Sequence, residues 1–119
     1  MAKRKYRARG SGYYPHGSKL EGGYKDRLGA KLNTLQEYME NRAEYVSVAM
    51  DKRLPIAYGT VVKIPEIEDD YQQTIEFRVV DTGDAFTGKG YTRVDICTAN
   101  REESKDPTIN GPLTLIFDD

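Results

Sequence analysis

Three aspartates stand where aspartate is uncommon. Asp51 ends the run Val46-Ser-Val-Ala-Met-Asp51, Asp81 sits in Phe77-Arg-Val-Val-Asp81-Thr-Gly, and Asp95 lies inside Thr92-Arg-Val-Asp95-Ile-Cys. The short acidic side chain competes for nearby backbone groups and is depleted from strands, so three such placements point to a carboxylate cluster assembled by the fold. Val94 and Ile96 give Asp95 an apolar setting. Desolvation and neighbouring carboxylates both raise a carboxyl pKa, so Asp51 and Asp81 converging on Asp95 would let the group hold a proton near neutral pH. A carboxylic acid kept protonated in this way can act as the general acid of glycosidic bond cleavage. Taken singly, each aspartate reads better as a residue that terminates or caps its strand; it is the three together that favour a cluster.

Other chemistries fit less well. Clustered oxygens suit hard cations, yet no D-x-D-x-D spacing occurs, and His16 and Cys97 supply too few N or S ligands for zinc. No metal and no cofactor are therefore expected. His16 reads as a surface or packing residue. Cys97 shares a strand face with Asp95 and reads as a small filler without a partner base. The stretch Asp81-Thr-Gly-Asp-Ala-Phe-Thr-Gly-Lys-Gly90 lacks the Gly-x-x-x-x-Gly-Lys-Ser/Thr order of a phosphate loop, and its glycines suit tight turns at a barrel rim. Tyr13 and Tyr14 are candidates for stacking on sugar faces or for anchoring a loop.

Short β-rich segments must position these residues. Tyr45–Met50, Thr60–Ile64, Thr74–Val80, Thr92–Cys97 and Leu113–Phe117 are β-branched or aromatic and bounded by turn formers. Ile75, Phe77 and Val79 alternate with Glu76, Arg78 and Val80, giving that strand a buried and a wetter face. One helix is expected over about residues 35–42. Thr34 caps it, Glu37 completes a capping box, and Leu35, Tyr38 and Met39 share a face. Asn100 and Glu103 are spaced to cap a helical turn before Pro107. Residues 13–32 read as an ordered loop or lid. Five short strands and one helix suggest a small closed barrel, which leaves no open edges.

At 119 residues the chain is expected to form a single domain, residues 13–119, preceded by a basic arm over residues 1–12. Lys3, Arg4, Lys5, Arg7 and Arg9 are followed by a body that is net acidic, since the whole chain carries only −1. The arm reads first as a solvated, disordered tail and otherwise as a dock for an anionic polymer or an acidic partner, with nucleic acid disfavoured by the acidic body. No apolar run reaches the roughly 20 residues of a membrane span. No signal peptide is visible, and the single cysteine excludes an internal disulfide.

Together these segments resemble the 3D (three-aspartate) domain of bacterial cell-wall enzymes, shared by stationary-phase-survival-type muralytic proteins and the catalytic barrel of membrane-bound lytic murein transglycosylase A. The first motif is matched by Val48-Ala-Met-Asp51 and Leu54-Pro-Ile-Ala-Tyr-Gly59-Thr60-Val-Val-Lys-Ile64-Pro65. The second is matched by Asp81-Thr-Gly-Asp84-Ala85-Phe86-Thr-Gly88, and the third by Val94-Asp95-Ile96. Gly12-Tyr-Tyr-Pro15 is similar to the aromatic entry segment of such proteins. The resemblance covers about residues 44–117. Two departures stand out: Asp84 replaces a Gly, and the stretch from Asp81 to Asp95 is longer than in the pattern.

The resemblance implies an all-β, six-stranded double-psi β-barrel, with a sixth strand in residues 10–16 or 84–91. It also implies a lytic transglycosylase acting on peptidoglycan glycan strands, with Asp95 as the acid/base and Asp51 and Asp81 supporting it. Thr82, Lys89 and Tyr58, with Tyr13 and Tyr14, are the expected substrate contacts. The alternative is a non-catalytic glycan-binding or structural barrel in a phage tail or secretion assembly, docked through the basic arm. In either case the expected place of action is the cell wall or periplasm, reached through a phage particle, lysis or another secretion route.

Overall fold

The computed structural model describes residues 3–14, 25–82 and 88–118. Six strands build one sheet: β1 (Lys3–Tyr13), β2 (Val46–Met50), β3 (Thr60–Val62), β4 (Phe77–Thr82), β5 (Arg93–Cys97) and β6 (Pro112–Asp118). They are ordered β3-β4-β2-β5-β1-β6. β2 runs parallel to β4 and β1 parallel to β5, while a central antiparallel ladder joins β2 to β5. The outer pairs β3·β4 and β1·β6 are antiparallel. A reciprocal pair of backbone hydrogen bonds between Lys63 and Ile116 (2.9 and 3.0 Å) brings the two ends of the sheet together. The result is a nearly closed six-stranded all-β barrel whose pairing is symmetric about the β2·β5 ladder.

The interior is lined by alternate residues of every long strand. Val46, Val48 and Met50 meet Phe77, Val79, Val94, Ile96, Leu113, Leu115 and Phe117, all buried. Two short helices cover the barrel. In α1 (Leu35–Met39) the capping box forms as expected: Thr34 Oγ1 accepts from the Glu37 N–H and Glu37 accepts from the Thr34 N–H, both at 3.0 Å. The helix stops short of residue 42 because Asn41 adopts a left-handed φ of 61°. The second helix, α2 (Pro65–Tyr71), was not expected from the sequence. Pro65 in its first turn, Glu66 beside it, and Ile67 and Tyr71 spaced i,i+4 are the signals that mark it. Single 3₁₀ turns occupy Gly90–Thr92 and Glu103–Lys105, the latter capped by Asn100 Oδ1 at 2.9 Å from the Glu103 N–H.

Residues 1–12, expected as an arm outside the domain, need correction: Lys3–Tyr13 is strand β1, paired with both β5 and β6. Lys3, Lys5, Arg7 and Arg9 are exposed, whereas Ala8 and Gly10 are buried and Tyr6 packs against the core. The segment therefore has the period-2 alternation of a half-buried strand, with cations on its wet face. The sixth strand expected within residues 10–16 therefore begins earlier, at Lys3. Gly10 and Gly12 have no room for a side chain. A Cβ at Gly12 would lie 2.5 Å from the Ser104 carbonyl oxygen, and one at Gly10 would lie 2.2 Å from that of Ile109. Strand β4 also differs from expectation, starting at Phe77 and running on to include Asp81 and Thr82.

Candidate active site

Strand register builds the site. Ala49 of β2 pairs with Asp81 of β4 on one side and Asp95 of β5 on the other, and Asp95 pairs in turn with Ser11 of β1. Directly paired residues project to the same face of a sheet, so Asp81, Ala49, Asp95 and Ser11 form one row. With strands about 4.8 Å apart, the two aspartate Cα atoms are separated by about 10 Å, across an alanine too small to fill the gap.

A bulge puts Asp81 in this row. Val48 pairs with Val79 but Ala49 pairs with Asp81, leaving Val80 as an extra residue of β4. Without it the alternation that buries Phe77 and Val79 would carry Asp81 toward the core. The bulge turns its carboxylate to the Ala49 face instead. Val79 and Val80 are consecutively buried as a result.

Asp95 has a defined hydrogen-bond environment. Ser11 Oγ–H donates to its Oδ1, and Arg93 Nη2 donates to Ser11 Oγ at 3.5 Å. Burial raises the Asp95 carboxyl above its ordinary value, against the lowering effects of the Ser11 hydrogen bond and the Arg93 charge. Asp81 is also raised, first by burial and then by the nearby Asp26 carboxylate, with the Thr82 N–H and the Arg27 charge opposing.

Asp51 behaves differently. It is buried, and its Oδ1 accepts from the Arg53 N–H while Oδ2 accepts from Gly88 and Gly90, all at 2.9 Å. These backbone donors, Arg53 first, together with the Arg53 charge, hold its carboxyl below the ordinary value despite burial. Asp51 is thus an ionised clamp that fixes the turn leading into β5. Gly88 and Gly90 have φ values of 85° and 59°, which suit the glycines there.

The other expected contacts divide. Tyr13 follows Ser11 on the same face of β1 and pairs with Cys97. It is a strand residue rather than part of a loop. Its hydroxyl is buried beside the Cys97 thiol without a well-formed hydrogen bond. Burial pushes that hydroxyl well above its ordinary value, and the charges of Cys97, Asp81 and Asp95 add to the shift. Burial likewise pushes the Cys97 thiol up to about 12, which keeps it protonated and unreactive. Tyr14, half-exposed, comes just after the strand. Lys89 is exposed between the two glycines that bind Asp51. Thr82 pairs with Met50, so its register puts it on the opposite face from Asp81. His16 and Asp84 lie outside the described residues.

Tyr58 introduces a residue that sequence reasoning missed. Its hydroxyl donates to Asp26, whose other carboxylate oxygen accepts from the Leu28 and Ala30 N–H groups at 2.9 and 3.0 Å. That contact, reinforced by burial, pushes the Tyr58 hydroxyl up to about 12. Arg27 covers the Tyr58 ring, its guanidinium carbon 5.5 Å from the centroid. Asp26 sits in a Lys25-Asp26-Arg27 stretch that looks like an ordinary charged turn, and only the following Leu-Gly-Ala signals the tight loop that its carboxylate organises.

Among the described residues, no group of three or more His, Cys, Asp or Glu side chains is arranged to hold a metal ion. An open cleft of about 710 Å³ is lined by Lys63, Glu66, Glu68, Asp69, Gln72 and neighbouring residues of α2, and includes none of the aspartates in the row. No described helix is long and apolar enough to cross a membrane. In comparisons with known proteins, no family model and no curated protein matches the chain.

Proposed function

We propose that the barrel is a peptidoglycan-cleaving lytic transglycosylase with Asp95 as its single acid/base. Protonated Asp95 gives its proton to the glycosidic oxygen between N-acetylmuramic acid and N-acetylglucosamine as the C1–O bond breaks. The carboxylate then takes the proton of the muramoyl 6-hydroxyl while that oxygen bonds to C1. The product is a 1,6-anhydro sugar, no water is consumed, and Asp95 returns to its starting state. In this reading Asp81, across Ala49, when ionised stabilises positive charge developing on the sugar.

The observation that carries this reading is the environment of Asp95. It has a raised pKa, one carboxylate oxygen engaged by Ser11, and no hydrogen bond to its Oδ2 among the described residues. Such a group holds a proton on a known oxygen and can also receive one. The chain would act at the cell wall, delivered by a phage particle, by lysis or by another secretion route.

The test is to digest purified sacculi and mass-analyse the released fragments, with Asp95→Asn as control. Anhydro-muramoyl ends from the wild type alone are expected. Hydrated reducing ends would replace the lyase mechanism with hydrolysis. Complete lack of release across pH would remove the enzyme assignment. The second reading, a glycan-binding or structural barrel in a phage tail or secretion assembly, draws on Asp51. Three backbone donors occupy its carboxylate, so only two of the three aspartates remain for chemistry.

A further inference from the structure

The outer face of β1 joins a row of cations to the candidate site. Lys3, Lys5, Arg7 and Arg9 are exposed on it, and the next residue on that face is Ser11, which is bonded to Asp95. At about 3.4 Å per residue, successive cations are about 7 Å apart, and Lys3 lies about 27 Å from Ser11. At the inner end Arg9 pairs directly with Arg93 of β5. Like charges facing each other across two strands are destabilising, so this row opposes folding electrostatically. Among the described residues, Arg93 has the Asp95 carboxylate nearby. Asp118 pairs with Lys3, and Glu66 lies near Arg7, but the Glu66 carboxylate already accepts from the Thr114 N–H and Oγ1 at 2.8 and 2.7 Å. The rest of the chain is net acidic, so the run of cations on β1 contrasts with the charge balance of the remaining sequence.

We propose that the β1 face is a track for an acidic glycan strand, whose carboxylate substituents lie over Lys3, Lys5, Arg7, Arg9 and Arg93 as the chain runs to Asp95. This rests on the reading of Asp95 as the glycan-cleaving acid, and it adds that anionic substituents on the substrate, not only its sugars, determine binding. A partner protein or a phosphodiester polymer would also match the charge. The glycan is favoured because the cations and the Ser11–Asp95 contact share one strand face, so a polymer lying along the strip extends to the proposed acid.

Binding can be tested apart from cleavage. Asp95→Asn protein is sedimented with sacculi over a range of salt, alone and with Lys3→Gln, Lys5→Gln, Arg7→Gln and Arg9→Gln combined. Retention that falls steadily with salt is expected, together with at least tenfold weaker binding by the fourfold variant at low salt. The Lys3→Gln/Lys5→Gln pair, farthest from Asp95, should weaken binding about threefold and guards against misfolding of the fourfold variant. Sacculi whose carboxylates have been amidated should lose retention to the same extent. Equal binding by the unsubstituted and substituted proteins would overturn the track. So would retention that survives amidation and is competed by single-stranded RNA. Cation-dependent binding by a wild type that releases no fragments would sink the enzyme reading while leaving the track standing.

Discussion

Ser11 donates its hydroxyl hydrogen to Oδ1 of Asp95, across the parallel β1·β5 ladder. Arg93 Nη2 approaches the same Ser11 oxygen from behind at 3.5 Å, which favours that direction. Ser11 thereby orients the carboxyl and directs the exchangeable proton to Oδ2. The groups facing Asp95 are Arg93 and Cys97 on β5, Tyr13 on β1 and Asp81 across Ala49. Ser11 and Arg93 are the two that favour the carboxylate. In Ser11→Ala the Asp95 carboxyl should therefore titrate at higher pH than in the wild type, and Ser11→Thr should restore the original midpoint. Carbon-detected NMR of the Asp95 side chain reads this directly. If the group is the glycan-cleaving acid, the alkaline limb of fragment release moves upward with it. An unchanged midpoint in Ser11→Ala would remove the orienting role.

Asp51 titrates in the opposite sense and should affect stability rather than proton transfer. Its folded-state pKa is depressed, so its contribution is present above the ordinary carboxylate range and is lost as pH falls through the lower folded value. Asp51→Asn turns one acceptor oxygen into a donor facing the N–H groups of Gly88 and Gly90 or of Arg53. We expect the melting temperature of this variant to fall by several degrees at pH 7. The gap from wild type should narrow as the pH falls below the ordinary carboxylate range and through the lower folded value. A gap of constant size across pH would mean that the clamp does not depend on the charge.

The glycines of β1 limit how the barrel can vary. Gly12→Ala would set a Cβ 2.5 Å from the Ser104 carbonyl oxygen and 2.7 Å from the Ser104 Cα, both backbone atoms. The clash can be relieved only by moving β1 away from the 3₁₀ turn at Glu103–Lys105. Overpacking of this kind destabilises by about 1–3 kcal/mol. Urea unfolding of Gly12→Ala should show a lower midpoint with an unchanged slope. An unaltered midpoint would mean that the turn yields freely.

The sequence made the site's residues legible more readily than their placement. Runs such as Val46–Met50 and Arg93–Cys97 stand out because β-branched residues and flanking turns mark them. The capping box of α1 is similarly local, a matter of Thr34 and Glu37 three positions apart. What escaped depends on partners distant in sequence. Lys3–Tyr13 alternates as a strand should, but cations at every odd position from Lys3 to Arg9 make it look like a solvated arm until β5 and β6 are set beside it. The bulge at Val80 has no sequence signature of its own, since Val79-Val80 is equally consistent with an unbroken strand. It nevertheless decides which way Asp81 points. The different environments of Asp51 and Asp95 could not be read from composition either. One is held by the N–H of neighbouring Arg53 and by two backbone donors from a distant loop, the other by a serine from the amino-terminal strand.

The same burial that suits Asp95 for proton transfer should make it a thermodynamic liability when ionised. The folded-state pKa values of Asp95 and Asp81 both lie above their unfolded values. Each carboxyl therefore supports folding fully while protonated, below the ordinary carboxylate range, and that support is lost as pH rises through the raised folded value. Asp95→Asn keeps an oxygen to accept from Ser11, fills the same space and carries no charge to desolvate. We expect it to melt about 2–6 °C above the wild type at pH 7.5 and at the same temperature near pH 3. Asp81→Asn should change in the same direction by less, because that carboxyl is less buried and receives the Thr82 N–H. Scanning calorimetry of the two variants against pH separates the contributions. A neutral-pH melting point for Asp95→Asn below that of the wild type would show that Ser11 and Arg93 outweigh burial, leaving Asp95 as an ionised structural group rather than a proton donor.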